Sequence, residues 1–294
     1  LDDVNIILIL AAFFVGRKPR IIISVRIAMS YAIKNSHLKR MRLIPLLARI
    51  FYPFADEIVA IAEGTADDLA KTVNIDRKNI RVIYNPLNQN RIVKLAEEPV
   101  LHNWLYEPKS EPVLLAVGRL TSQKDYPTLL RALKILNESH KCRLIILGVG
   151  EDEAELRGLV SDLGLSGKVH FLGFVENPYS YMAKSNVFVF SSAWEGLGSV
   201  LLEALSTKTT VVSTDCPFGP REILADGKFG YLSPVGNENV LAKQIGRALK
   251  KPFSASVLEK RAAFFNLENH LDRFESIVNN SENKNRLAPW TYRT

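Results

Sequence analysis

The sequence predicts an α/β protein made of doubly wound parallel sheets in two domains, and three observations carry that prediction. Short, uniformly apolar runs alternate with segments of helical periodicity over most of the chain. The clearest runs are fully apolar, as strands are when helices cover both faces of a parallel sheet. Glycines, charges and aromatic residues concentrate in five successive loops that follow these runs, where open α/β sheets bind their ligands.

The pattern is clearest after residue 112. Val113-Leu114-Leu115-Ala116-Val117 reads as a buried strand, followed by a helix from Tyr126 to Ser139 with Leu129, Leu130, Leu133 and Leu136 at helical spacing. Pro127 suits that helix's first turn, where its missing N–H costs nothing. Leu144 to Leu147 is the next strand, then a charged helix from about Asp152 to Leu163. Val169 to Leu172 and Val187 to Phe190 are strands that flank a short helix from Pro178 to Lys184. A helix from Ser199 to Ser206, a strand from Thr210 to Ser213 and a helix from Arg221 to Ala225 complete the series. Right-handed crossovers make such a sheet doubly wound.

The first third is a weaker version. Ile21 to Ser24, Glu57 to Ile61 and Ile80 to Tyr84 read as strands, with helical stretches at Leu38 to Phe54 and Glu63 to Thr72 between them. Pro45 splits or kinks the first of these helices. The apolar run Ile6 to Val15 is too short to span a bilayer and lacks the flanks of a signal peptide. It reads as a buried helix or strand ending at Gly16, in a chain that starts inside a domain. Asn85-Pro86 stops the pattern, and residues 86–111 read as the connection between two domains. The tail after Asn279 is polar, with Trp290 and Tyr292 available to dock it.

Composition bounds the function. The chain has 294 residues, 47% hydrophobic, with 38 basic against 31 acidic side chains. The net charge of +7 suits phosphate-bearing ligands or an anionic surface without choosing between them. Cys142 and Cys216 form no disulfide framework, and neither they nor the five histidines have metal-ligand spacing. A reducing cytosol is the simplest home.

Chemistry concentrates in the loops. Gly118 to Asp125 contains Arg119 and Lys124, five residues apart, which either clamp a diphosphate or are solvated surface charges. Gly148-Val149-Gly150 is a weaker turn signal. Gly196 and Gly198 precede a helix, whose free N–H groups attract anions and whose glycines allow close approach. Glu195 and Glu203 lie eight apart, one in the loop and one a turn into the helix. They are either a cap and an ion-paired helix residue or acceptors for sugar hydroxyls.

Taken in order, these motifs resemble the retaining glycosyltransferases of family 4. The run Glu195-Gly196-Leu197-Gly198 through Glu203-Ala204 is similar to that family's E-x7-E motif. Gly118-Arg119-Leu120 with Lys124-Asp125 resembles its phosphate loop, Phe171 to Phe174 its base-recognition loop, Gly227 through Gly230 to Pro234 the segment that usually follows, and Val82 to Pro86 its inter-domain crossing. The resemblance covers roughly residues 20–270. It implies the GT-B fold: two Rossmann-like domains facing a cleft, the N-terminal one incomplete. The implied division is residues 1–86 for a partial acceptor-side domain, 87–111 for a linker and 112–262 for the nucleotide-sugar-binding domain. Residues 263–294 would form a helix returning toward the N-terminal domain, and a tail.

The resemblance also implies roles. Arg119 and Lys124 would neutralise charge on the departing diphosphate, normally a large catalytic effect. Glu195 would face the transferred sugar with the backbone of Gly196, Leu197, Gly198 and Ser199. Glu203 would hold the ribose, Phe174 and Val175 would sit by the base, and Gly118 and Gly150 would line the donor site. The implied reaction needs no metal and moves a hexose or N-acetylhexosamine from a UDP-sugar, with retention, to a growing glycan, lipid-linked in the reading favoured here. The segment Asp215-Cys216-Pro217-Phe218-Gly219-Pro220-Arg221-Glu222 resembles members that use UDP-hexoses or UDP-N-acetylhexosamines, and is otherwise a rigid turn shaping the domain interface. A GDP-sugar donor, or a catalytically silent nucleotide-sugar-binding protein, are the alternatives. No nucleic-acid partner is implied.

Two features depart from or extend the pattern. The family's opening glycine-rich loop and N-terminal-domain histidine have no counterpart, so roughly 70 or more residues of an ordinary domain are expected to precede Leu1. Ser24-Val25-Arg26 stands where acceptor-side polar residues are common. Between Lys34 and Phe51, Lys34, His37, Lys39, Arg40, Arg42 and Arg49 interleave with Leu38, Met41, Leu43, Leu46, Leu47, Ile50 and Phe51. That pattern fits a helix lying on an anionic membrane on the cytoplasmic side, or a core-facing helix with a solvated basic face.

Overall fold

The computed structural model describes residues 2–15, 19–35, 38–106 and 111–279. Gly16, His37 and the tail with Trp290 and Tyr292 lie outside the described residues, as do the side chains of Lys39 and Arg40.

The first unit carries a three-stranded parallel sheet. In chain order come α1 (Asp2–Ala12), β1 (Ile22–Val25), α2 (Met29–Lys34), α3 (Ile44–Phe51), β2 (Glu57–Ala60), α4 (Glu63–Val73) and β3 (Ile80–Val82), with sheet order β1-β2-β3. Pro45 sits in the first turn of α3, and the chain before it is a 3-10 turn, so the helical stretch is split there. The run Ile6 to Val15 corrects its expectation. It is helical, but only the face carrying Asp2, Ile6 and Ile9 is buried, while Ile7, Leu8, Phe13 and Phe14 are exposed. A run apolar all round has no periodicity from which to read which face packs.

Residues 87–106 are more structured than a plain connection. They hold α5 (Gln89–Ala96) and a short helix α6 (Asn103–Tyr106), with Ile92, Val100 and His102 buried. The Asn177 side-chain amide donates to the Leu95 carbonyl at 2.9 Å, which docks this segment on the second unit. His102 shares a 2.9 Å hydrogen bond with His170, and burial together with His170 and Arg143 depresses its pKa.

The second unit runs β4 (Val113–Val117), α7 (Tyr126–Asn137), β5 (Arg143–Leu147), α8 (Glu153–Asp162), β6 (Val169–Gly173), α9 (Pro178–Lys184), β7 (Val187–Phe190), α10 (Ser199–Ser206), β8 (Val211–Thr214), α11 (Pro220–Ile223), β9 (Tyr231–Ser233) and α12 (Glu238–Lys250). All six strands are parallel, in the order β6-β5-β4-β7-β8-β9. The strand β9 was not expected from the sequence. It is three residues long, two of them only half-buried, and glycine and proline flank it. Alternate strand residues enter two cores. Leu115, Ile145, Phe188 and Val211 join one face, and Leu114, Ile146, Val189 and Val212 the other. The central strands are therefore covered on both faces, which is why β4 and β7 are apolar at every position.

Two helices follow, α13 (Ala255–Ala263) and α14 (Leu267–Asn279). The latter returns to the first unit, where Ile277 packs with Val59 and Ile83, His270 bonds the Tyr84 carbonyl at 2.9 Å, and Arg20 donates to the Val278 carbonyl at 2.6 Å.

Candidate functional site

Strand order reverses between β4 and β7, so their carboxyl ends lie side by side and open the crevice in which doubly wound sheets bind ligands. The loop after β4 ends in Lys124, and the loop after β7 carries Glu195. Their side chains meet across the switch point, Lys124 Nζ to Glu195 Oε1 at 2.6 Å. Ser192 Oγ donates to the same oxygen at 2.9 Å, and the ammonium also sits 4.9 Å above the Phe190 ring. Backbone ties keep the two loops together. Ala193 N–H donates to the Gln123 carbonyl at 2.8 Å, Gln123 Nε2 to the Trp194 carbonyl at 2.9 Å, and Ser191 Oγ to the Lys124 carbonyl at 2.6 Å. An ammonium has three donors, so Lys124 keeps capacity for a further acceptor.

Arg119 behaves differently. It is exposed, and its side chain makes no hydrogen bond or ion pair with any described residue. The two cations expected to work together are thus one fixed and one free to reach outward.

Gly198 caps α10 with a left-handed backbone (φ 81°) and no side-chain cap, so the first N–H groups of the helix stay available. A side chain at Gly196 would overlap the Arg26 carbonyl, so the two units approach through backbone there. Thr65 Oγ1 donates to the Gly196 carbonyl at 2.9 Å. Asn85 Nδ2 donates to Ser199 Oγ at 3.4 Å, and Arg26 in turn donates to Asn85 at 3.1 Å. Leu197 is a core residue at 2% exposure, leaving only its backbone for a ligand.

Glu203 lies on the fifth residue of α10. Its side chain is half-buried and has no hydrogen-bond or ion-pair partner among the described residues. Burial alone pushes its carboxyl from 4.5 up to about 7. Of the two readings left open by spacing, the ion-paired helix residue is therefore not what the structure shows. Burial also pushes the Cys216 thiol up to about 12, and both cysteines are buried and free.

The remaining expected residues follow β4, β5 and β6 at the same edge of the sheet. Phe174 is 79% exposed and Val175 half-buried, just beyond β6. Gly118 is covered by the Lys124 side chain and donates its N–H to the Leu147 carbonyl at 2.9 Å. Gly150 presses on the Leu120 backbone, so its packing role is visible directly. Sequence reasoning missed Ser192, Gln123, Asn85 and the contacts of Arg26 with Asn85 and Gly196. Asn85 stood out only as a strand stop, and Ser192 carried no signal, because a serine three residues before Glu195 does not announce that its hydroxyl turns onto that carboxylate.

Comparison with known proteins gives a consistent result. The family model "Glycosyl transferases group 1" matches residues 101–265. The chain is 35% identical over 239 residues to the N-acetylgalactosamine-N,N'-diacetylbacillosaminyl-diphospho-undecaprenol 4-alpha-N-acetylgalactosaminyltransferase of Campylobacter jejuni, covering 81% of this chain and 62% of that protein. It is 33% identical over 187 residues to the lipopolysaccharide core biosynthesis glycosyltransferase LpsE of Rhizobium meliloti, covering 64% of this chain and 51% of that one. The chain thus spans about half to two-thirds of these relatives' lengths. Among solved structures, Anabaena Alr3699/HepE in complex with UDP superimposes with a TM-score of 0.77 at 20% identity, over 95% of this chain and 77% of that one. The lipopolysaccharide outer core galactosyltransferase WaaB superimposes with a TM-score of 0.71 at 21% identity, over 96% and 80%. On the match over residues 101–265, which is more than half its length, and with the parallel sheets of a GT-B fold, the chain belongs to the glycosyl transferases group 1 family.

Proposed function

We propose that the protein transfers a hexose or N-acetylhexosamine from a UDP-sugar, with retention of configuration, to a growing lipid-linked glycan of a bacterial surface polysaccharide. The observation that carries the donor side is Glu203: a half-buried carboxylate with no hydrogen-bond or ion-pair partner among the described residues, one turn into the helix that follows the loop of Glu195. An acceptor left unpaired in a partly dry site is suited to ligand hydroxyls. In this reading Glu203 takes the ribose hydroxyls. Glu195 and the backbone from Gly196 to Ser199 face the sugar, and Phe174 and Val175 flank the base near Gly118 and Gly150. As the bond from the anomeric carbon to the diphosphate oxygen breaks, Arg119 and Lys124 neutralise the charge that gathers on the leaving group. Two cations in that role replace what a metal would supply, so the transfer is metal-independent.

Likeness to a protein solved with UDP and with UDP-glucose supports the nucleotide, and the activity in the name of the Campylobacter relative supports the lipid-linked acceptor. Contact with an anionic membrane through residues 34–51 belongs to the same proposal. It is supported by exposed Leu43, Leu46 and Ile50 beside exposed Arg42 and Arg49 on and next to α3. No described helix is long and apolar enough to cross a membrane.

The test is transfer by the full-length protein from a panel of UDP- and GDP-sugars to undecaprenyl-diphosphate-linked acceptors, with and without EDTA. Turnover of a UDP-sugar unchanged by EDTA supports the proposal. Turnover of GDP-sugars alone would replace the donor, and UDP binding without any turnover would leave a silent nucleotide-sugar-binding protein.

A further inference from the structure

The carboxylate of Glu222, in α11, is half-buried at the contact between the two units. It accepts the Tyr84 hydroxyl hydrogen, the Glu63 N–H at 2.8 Å and the Gly64 N–H. All three donors belong to the first unit. Glu63 and Gly64 open α4, whose N-cap Ala62 supplies no side-chain cap, so Glu222 caps the helix of the opposite unit in trans. On its other side, the Glu222 and Ile223 carbonyls accept from Arg261 at 2.6 and 2.7 Å, and that guanidinium lies against Phe264 and Phe265, 4.8 Å from each ring centre. One residue thus joins the end of β3, the start of α4, α11 and α13.

The segment just before it reaches the switch point. Glu195 N–H donates to the Pro217 carbonyl at 2.7 Å, and Phe218 N–H returns a bond to the Glu195 carbonyl at 3.2 Å. Between these bonds and Glu222 lies Gly219, whose missing side chain leaves room for the Leu197 carbonyl. The Phe218 ring meanwhile rests on Gly64 and edges Tyr31 at 6.1 Å. A cavity of ≈ 640 Å³ opens beside this contact, lined by Glu63, Tyr84, Phe218, Glu222, Arg261 and their neighbours.

We propose that Glu222 is a positioning residue: it couples the contact between the two units to the placement of Glu195, through the rigid segment 217–222. The inference rests on the glycosyl-transfer reading for its consequence, since Glu195 is the carboxylate assigned there to the transferred sugar. When the Tyr84–Glu222–α4 contact is made, the segment holds the Glu195 backbone from both sides. When it opens, the segment and Glu195 move with it, and the sugar loses its acceptor while the ribose contact at Glu203 stays.

The test is residue-resolved amide exchange on this chain and its Glu222→Ala and Glu222→Gln variants, with UDP affinity measured in parallel. Glu222→Ala is expected to speed exchange more than tenfold at Glu63 and Gly64, and also at Glu195 and Phe218, while amides of β4 and β5 keep the parent rate. Glu222→Gln retains the Oε1 oxygen that accepts from both the Tyr84 hydroxyl and the Glu63 N–H, so it restores most of the protection. In the full-length protein, Glu222→Ala lowers kcat more than tenfold with the donor KM within threefold, and Glu222→Gln recovers most of it. Faster exchange confined to Glu63 and Gly64, or a donor KM that rises in step with a fall in kcat/KM, would overturn the coupling. Failure of UDP to bind the parent chain would overturn the donor reading instead, and the exchange result at Glu195 and Phe218 would still decide the coupling.

Discussion

Replacing Glu203 by glutamine separates what this residue costs the fold from what it gives the ligand. Raising a carboxyl from 4.5 to about 7 by burial corresponds, at about 1.4 kcal/mol per tenfold change, to roughly 3 kcal/mol against folding once the group is fully ionised. Part of the side chain meets solvent, which reduces this to about 2 kcal/mol. The sign follows from linkage. The folded protein holds this proton more tightly than the unfolded chain, so the contribution of Glu203 is most favourable below 4.5 and is lost as pH rises through about 7. Glutamine carries no such titration. Denaturant unfolding should therefore find Glu203→Gln more stable than the parent by about 2 kcal/mol at pH 8.5, with the difference shrinking toward pH 4. Calorimetric titration should show the opposite for binding: UDP affinity about tenfold lower in the variant at pH 8.5, because a charge-assisted acceptor has become a neutral one. The parent's advantage should fade as pH falls below about 7. Equal stability of the two proteins at pH 8.5, or equal UDP affinity, would refute the assignment of a desolvated, ligand-seeking carboxylate.

Other outcomes follow from the same geometry. Arg119→Ala, which removes a cation with no described partner, should leave Tm within about 1 °C and UDP affinity within a few-fold while lowering turnover about 100-fold in a transfer assay. Lys124→Ala should also destabilise the chain, by about 1–3 kcal/mol in denaturant unfolding, because it strands the Glu195 carboxylate that it now holds. Gly196→Ala puts a methyl group into the Arg26 carbonyl, so the two units must part. A loss of about 1–3 kcal/mol in stability and a fall in transfer rate should appear together, read by thermal unfolding and by the same assay.

How much of this was legible beforehand depends on how local the cause is. The strands of the second unit were readable because burial on both faces leaves a continuous apolar run, as in Val187 to Phe190, where all four residues are buried. The helix after Gly198 was readable from its glycine start and its leucines. The strand β9 was not, since Tyr231 and Leu232 are only half-buried and no run builds up. Residues Ile6 to Val15 misled in the other direction, because the hydrophobic effect says that apolar side chains favour burial without saying which of them find a neighbour. Glu195 and Glu203 were visible as a spacing, but their difference was not. Whether a carboxylate meets Lys124 or meets nothing is decided by a loop some seventy residues away. The same holds for Glu222, whose donors Glu63 and Tyr84 lie 159 and 138 residues off in sequence.

The two dry faces of the six-stranded sheet have a consequence for how its strands find their alignment. Where one face of a sheet is wet, slipping a strand by one residue drives polar groups inward, and the error is penalised at once. Here a slip of β4 against β5 would exchange one aliphatic row for another and leave burial nearly unchanged. Alignment must then be enforced at the strand ends, by Gly118 N–H on the Leu147 carbonyl, Gly148 N–H on the Gly173 carbonyl, Leu120 N–H on the Val149 carbonyl and Asp215 N–H on the Ser233 carbonyl. Those clasps lie in the very loops that the proposed function assigns to the donor. Substitutions there would be felt during assembly of the sheet, as misaligned and aggregating chains, before they were felt in any assay of turnover.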